Sequence, residues 1–251
     1  MKNVLVMMGV SAFYWKMLRV IFITFVTTLV IIVTSNIGSS EPPADFPDPK
    51  SHPLPSALAV WEVKEEVGDY FSEVKESPLG YLVWSEFPIT VFLDLSASKP
   101  REQEWVEAVE TAIAEWNDYI PLKEVDDRAT ADIIIARSRP PVNIQRNPET
   151  GQREFGRART ARTRYEFDLE DSRLIHRMFI DITPNQPKQR TLATARHEIG
   201  HGLGIWGHSE DKNDALYYSH VRDSPKISPR DVNTLRKIYE QPTRLGWKIE
   251  Q

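Results

Sequence analysis

The stretch His197-Glu198-Ile199-Gly200-His201-Gly202-Leu203-Gly204-Ile205-Trp206-Gly207-His208-Ser209 decides how this chain is read. Its first half has the spacing H-E-x-x-H. Residues four apart on an α-helix stack one turn above the other, so His197 and His201 present both imidazoles on one face and can bind a single Zn²⁺. Glu198 stands beside them, where a carboxylate can take a proton from a water that the metal activates. Gly204 suits a helix end, because glycine enters the left-handed region without a Cβ penalty. The chain can then turn back and deliver His208 as a third ligand, leaving a fourth position open, as in catalytic rather than structural zinc sites.

Around this stretch lie 251 residues, enough for one sizeable core with appendages. The composition, 41% hydrophobic and 27% charged, is that of a folded protein. The net charge of −5 conceals an asymmetry: residues 1–40 carry Lys2, Lys16 and Arg19 and no acid, leaving 28 basic against 36 acidic groups, net −8, in the rest. That balance gives no general attraction to nucleic acid. The absence of cysteine excludes disulfides, cysteine zinc ligands, a catalytic cysteine and a lipidated cysteine.

Two apolar stretches, residues 4–15 and 20–33, open the chain around Lys16 and Arg19, and a small, polar run ends at Ser40. A basic start, an apolar core and small residues after it describe a secretory signal peptide, with Gly38 and Ser40 suited to the −3 and −1 positions. Met17 is an alternative start. The uncharged run 20–40 is also long enough to remain as a single membrane anchor. Both readings place the remainder outside the cytoplasmic membrane, in the periplasm or the medium. Residues 41–56, with six prolines, read as an extended linker. Residues 57–80 read as an N-terminal helical brace or a pro-segment, with an amphipathic helix over 57–75; the brace is favoured, since only His52 in this region resembles a metal-blocking ligand.

Further along, residues 89–95 alternate as a strand should, and Trp105, Val109, Ile113, Trp116 and Ile120 form one apolar stripe on a helix over 101–119. Residues 131–136 read as an interior strand, 163–169 and 177–182 as two more, and 189–204 as the helix of the histidine motif. Residues 137–162 are loop-like and basic, with Arg153, Arg157, Arg159 and Arg162, but lack the interleaved aromatics of a nucleic-acid surface. Ser228-Pro229-Arg230-Asp231 has the form of a capping box opening a last helix, which Pro242 ends.

The zinc stretch resembles the extended H-E-x-x-H-x-x-G-x-x-H signature of metzincin metallopeptidases, and more closely their matrixin branch in bacteria. The resemblance spans residues 81–242: Trp84-Ser85-Glu86-Phe87-Pro88 before the first strand, the helix ending in Trp116, Ala131-Asp132-Ile133-Ile134-Ile135 and the closing Ser-Pro-Arg-Asp helix are all similar to matrixin features. It implies an α+β fold, a twisted five-stranded mixed sheet with two packing helices and a zinc-binding active-site helix, followed by a short tail at 243–251. It also implies His197, His201 and His208 as zinc ligands and Glu198 as general base. Two departures stand out. The pattern expects its third histidine at Gly207, so a one-residue bulge must bring His208 round. Counting from His208, Leu216 occupies the place of the methionine that underlies the zinc in this family, and leucine of similar volume fills such a place at small cost. Tyr217 or Tyr218 is a candidate for polarising a substrate carbonyl or lining the substrate pocket. The remaining histidines, His52, His176 and His220, are too scattered for a second zinc. Calcium at Asp168, Glu170, Asp171 or Asp181 competes with the simpler reading of solvated acids.

The expected function is zinc-dependent endopeptidase activity on a polypeptide bound in extended form along a sheet edge, by a monomer. The shifted histidine and missing methionine motivate a second reading, a catalytically silent zinc-bearing scaffold at the cell envelope. The retained Glu198 weighs against it, since a structural site has no use for a carboxylate there. Metal-assisted hydrolysis of a non-peptide amide is a third.

Overall fold

Alternating burial along β1 (Ile89–Leu93), with Ile89, Val91 and Leu93 inward, marks a strand with one face on the core. In the computed structural model, which describes residues 46–142, 144–146, 148–155, 159–219 and 225–249, β1 lies between β2 (Leu122–Val125) and β3 (Ile133–Ala136), parallel to both. Ile133, Ile134 and Ile135 are all buried, the signature of a strand covered on both faces. The hairpin β4 (Ile144–Arg146) and β5 (Arg153–Phe155) forms a separate two-stranded sheet. β6 (Ala161–Glu170) and β7 (Arg173–Ile182) complete the main sheet in the order β2-β1-β3-β7-β6, with β7 parallel to β3 and β6 antiparallel at the edge. Asp171 and Ser172, at φ 49° and 62°, make the two-residue turn between β6 and β7, where positive φ at both positions matches the strand twist.

A short helix, α1 (Ser56–Val60), precedes the sheet. α2 (Pro100–Asn117) starts on a proline and has Glu102 accepting from the Ser98 and Lys99 amides. Its stripe of Trp105, Val109, Ile113 and Trp116 is buried, and the helix packs on α3 (Lys188–Gly202), where Trp116 Nε1–H donates to the Arg196 carbonyl at 2.9 Å. α4 (Pro229–Tyr239) opens on the anticipated capping box, Ser228 accepting from Asp231 N and Asp231 from Ser228 N. The five-stranded mixed sheet with its helices is the α+β architecture that the sequence implies.

The segment before β1 departs from the expected amphipathic helix over 57–75. It holds only α1 and two single 3₁₀ turns, Glu65–Val67 and Phe71–Glu73. Its polar groups find partners on α4 instead of within a helix: Asn233 Nδ2 donates to the Lys64 and Gly68 carbonyls, and Trp61 Nε1–H donates to Asn233. The prolines around residue 50 keep that stretch extended. It pairs with the C-terminal segment, Lys50 and Thr243 exchanging both backbone hydrogen bonds at 3.0 and 3.1 Å. The apolar N-terminal segment, Arg157 and His220 lie outside the described residues; among those described, no helix is long and apolar enough to cross a membrane.

One core group is anomalous. His176 on β7 is 2% exposed, its ring sits 3.9 Å from that of Trp84, and its Nε2 has no hydrogen-bond partner among the described residues. Burial pushes its pKa down to about 3, from 6.5. Between those values the unfolded chain binds a proton that the fold does not, so this residue makes stability fall as pH drops below 6.5. We predict that His176→Phe loses about 1–2 kcal/mol less stability than the wild type between pH 7 and pH 5. Urea unfolding at both pH values, in chelator, checks this; equal losses in the two proteins would disprove it.

Candidate active site

α3 carries the first two histidines, and its sequence explains why the helix sits so close to its support. A Cβ at Gly200 would stand 2.6 Å from Leu216 Cδ2 and 3.1 Å from Trp116 Cζ2, so the glycine inside H-E-x-x-H lets Leu216 press against the helix. Leu216 is fully buried there, at the position expected from the sequence to take the place of the family's methionine. The helix ends at Gly202, and Gly204 at φ 117° starts the turn. Trp84 Nε1–H on the Gly202 carbonyl and the Tyr239 hydroxyl on that of Leu203 satisfy the end of the helix.

The three histidines converge. Their ligand nitrogens lie within 4.8 Å of one another, and they form the only such cluster of potential metal-binding side chains among the described residues. His197 Nδ1 lies 3.0 Å from the Ala215 carbonyl and His201 Nδ1 2.7 Å from the Ile205 carbonyl. A carbonyl only accepts, so each Nδ1 carries the proton and each Nε2 offers a lone pair. Those two Nε2 atoms stand 3.1 Å apart. Two lone pairs that close repel unless a cation lies between them, and ligands about 2.1 Å from a tetrahedral zinc are themselves about 3.4 Å apart. The donor set therefore fits a zinc ion. Burial holds His197 near pKa 3 and His201 near 4, so both are neutral at pH 7, as ligation requires. His208 is exposed, its ring 5.1 Å from that of His197 and 4.9 Å from that of His201. The extra residue of the turn is thus absorbed, with Gly207 in the expected ligand position and His208 turned toward the pair.

Glu198 points toward the sheet edge. Thr163 Oγ1–H donates to its Oε2 at 2.6 Å, a contact that the sequence does not announce. The alternation of β6 is its only trace there: Thr163 shares a face with Tyr165, whose ring lies 5.0 Å from that of Trp206 in the turn, while Arg164 on the other face stacks over Phe179. Burial pushes the Glu198 carboxyl above its usual range, opposed by His197, the Thr163 hydrogen bond and Arg159. Among the described residues β6 has no strand on its outer side, so its edge leaves a row of backbone donors and acceptors unpaired by the sheet beside the histidines.

Other candidates fall elsewhere. The Tyr217 and Tyr218 rings lie against each other, tilted by 51° with centroids 4.6 Å apart, Tyr218 being 65% exposed. Asp181 is engaged by Arg162 and Ser138, Asp168 accepts from the Leu169 amide, and with Glu170 and Asp171 they form no cation-sized cluster. His52 is occupied by the Leu245 carbonyl and stacks on Trp247.

Two histidines on a helix, a third from the turn after it and an adjacent carboxylate, beside an antiparallel edge strand, make a metallopeptidase-like centre. The matrixin family model, Peptidase M10, matches residues 83–240, and the chain belongs to that family of metallopeptidases. No curated protein matches the chain.

Proposed function

We propose that this protein is a zinc-dependent endopeptidase in which His197, His201 and His208 hold the metal and Glu198 is the general base. The observation that carries the reading is the His197–His201 pair, whose Nε2 lone pairs face each other at 3.1 Å with Glu198 on the same helix. A bound Zn²⁺ would polarise the scissile carbonyl and lower the pKa of the attacking water. The Ala215 and Ile205 carbonyls orient the two buried imidazoles, as outer partners do for metal ligands generally. Glu198 accepts the proton of the attacking water and returns it to the leaving amine, and Thr163 holds the carboxylate in place between the two transfers. The open edge of β6 pairs with an extended polypeptide and sets its direction.

The test is digestion of a broad peptide library by the zinc-loaded protein, read by mass spectrometry. We expect internal cleavages that vanish with chelation and return with Zn²⁺. One bound zinc with no cleavage would favour the silent scaffold, and cleavage confined to small amides would favour the non-peptide hydrolase. His208→Ala should lose zinc affinity while His176→Ala and His220→Ala retain it. Unchanged zinc binding in His208→Ala would remove that assignment.

We also infer export, from the basic start, apolar core and small-residue run of residues 1–40. N-terminal sequencing distinguishes a mature chain starting after Ser40 from an intact anchor. Intact chain recovered only from the cytosol would contradict both.

A further inference from the structure

His208 differs from its two neighbours in what orients it. His197 and His201 are each fixed through Nδ1 by a carbonyl, whereas the His208 ring makes no hydrogen bond among the described residues. No hydrogen bond fixes that ring, so its direction depends on its contacts with the His197 and His201 rings and on the backbone of a turn one residue longer than the family pattern. Ile205 N–H on Gly200 O at 3.1 Å and Trp206 N–H on Gly204 O at 2.8 Å hold the start of that turn, and Ser209 N–H on Leu216 O at 2.9 Å holds its exit. Between these anchors the turn meets the segment of residues 73–75. Lys75 N–H donates to the Trp206 carbonyl at 3.0 Å. Gly207 lies so close to that segment that a Cβ would overlap the Glu73 carbonyl oxygen, 2.7 Å from its carbon and 2.9 Å from Val74 Cα.

The segment is itself anchored. Val74 is buried in the core. Four residues before Val74, the Tyr70 amide donates to Thr234 Oγ1 at 3.0 Å and the Tyr70 hydroxyl to Asp231 at 2.5 Å, both on α4. A fixed strand of backbone thus lies flat on the residue preceding His208, and glycine at 207 is what lets it approach.

We propose that residues 73–75 are a strap that positions His208 toward the metal, so that the segment before the sheet is a working part of the metal centre and not a removable cover. Lys75 N–H and Gly207 are the positioning groups, acting through the peptide from Trp206 to His208. The proposal rests on His208 being the third ligand.

The test measures Zn²⁺ affinity of the full chain by competition with a chromogenic chelator. Lys75→Pro deletes the N–H, and Val74, at φ −82° and ψ 127°, already has a conformation that a following proline accepts. It should weaken binding about 10–100-fold, the range seen when support of a ligand is removed. Lys75→Ala keeps the N–H and should lose at least tenfold less than Lys75→Pro. Gly207→Ala should weaken binding as Lys75→Pro does. In a His208→Ala background, Lys75→Pro should cost nothing further, because the strap acts only through that side chain. Folded Lys75→Pro and Gly207→Ala proteins with affinities within about twofold of wild type would overturn the proposal, as would an equal loss in the His208→Ala background. A readout free of mutations is amide exchange at Lys75 in the wild type: zinc loading should slow it, and no change counts against the strap. Wild-type affinity in His208→Ala would instead remove the third-ligand reading on which the strap depends.

Discussion

Glu198→Ala should keep one zinc bound and lower kcat/KM by about 10³-fold, within the range that positioned general acid–base groups contribute. Metal retention is expected because the carboxylate is held by Thr163, and the Nδ1 groups of His197 and His201 bond to backbone carbonyls and not to Glu198. The loss belongs to kcat more than KM, since proton transfer is needed in the transition state and not for strand-like binding along β6. Glu198→Gln makes a sharper comparison: it keeps the shape and the Thr163 contact but cannot accept a proton, so it should be as inactive as alanine. Zinc content by atomic absorption and kcat/KM on any peptide found by library digestion check the pair of variants. A glutamine variant retaining more than about a tenth of wild-type activity would be incompatible with a general-base role.

The sequence shows this carboxylate but not what holds it, and that contrast is general here. H-E-x-x-H is a local pattern, so helical spacing alone brings His197, Glu198 and His201 together. The α2 stripe and the Ser228–Asp231 capping box are equally local, and both helices lie within two residues of their expected bounds. β3 was legible as an apolar run. β2, the sequence Leu122-Lys123-Glu124-Val125, was not: it is an edge strand, partly exposed along its length, with neither alternation nor an apolar run to betray it. The β4–β5 hairpin was hidden among prolines and arginines for the same reason. The segment 57–75 misled because its apolar residues have helical spacing while its backbone partners, Asn233 and Thr234, lie more than 150 positions away. Pairings of that separation leave no trace in a window of neighbouring residues. The Thr163–Glu198 contact and the strap on Gly207 belong to the same class. What sequence could supply for Gly207 was a misfit in spacing; the structure supplies the close approach that accounts for a glycine there.

The largest loss of stability is expected at Asp231, which couples the capping of α4 to the peptide that orients His197. This carboxylate is fully buried and accepts from the Tyr70 hydroxyl at 2.5 Å, Ser228 N at 2.8 Å and Ala215 N at 2.9 Å, with Leu216 N at 3.4 Å. Burial pushes its pKa up and the hydrogen bonds pull it back. Asp214, also buried, takes the Ser209 and Ser228 hydroxyls and Arg230 beside it, which makes a polar network with no water-accessible replacement for its acceptors. Asp231→Ala leaves several donors unpaired in a closed interior, and breaking a buried network of this kind costs about 3–5 kcal/mol. The effect should not stop at stability. Ala215 offers its N–H to Asp231 and its carbonyl to His197 Nδ1, so a shifted Ala215 peptide misdirects the first histidine. Asp231→Ala should therefore also weaken zinc binding, by about tenfold or more at a temperature where the protein is still folded. Asp231→Asn separates the two effects, since it retains one acceptor oxygen but sets an NH₂ group against the remaining donors; it should fall between wild type and alanine in both measurements. Urea unfolding and chelator competition on the three proteins provide the comparison. An alanine variant within about 1 kcal/mol of wild type would mean that the network is relaxed by rearrangement, and that α4 does not hold the peptide that orients His197.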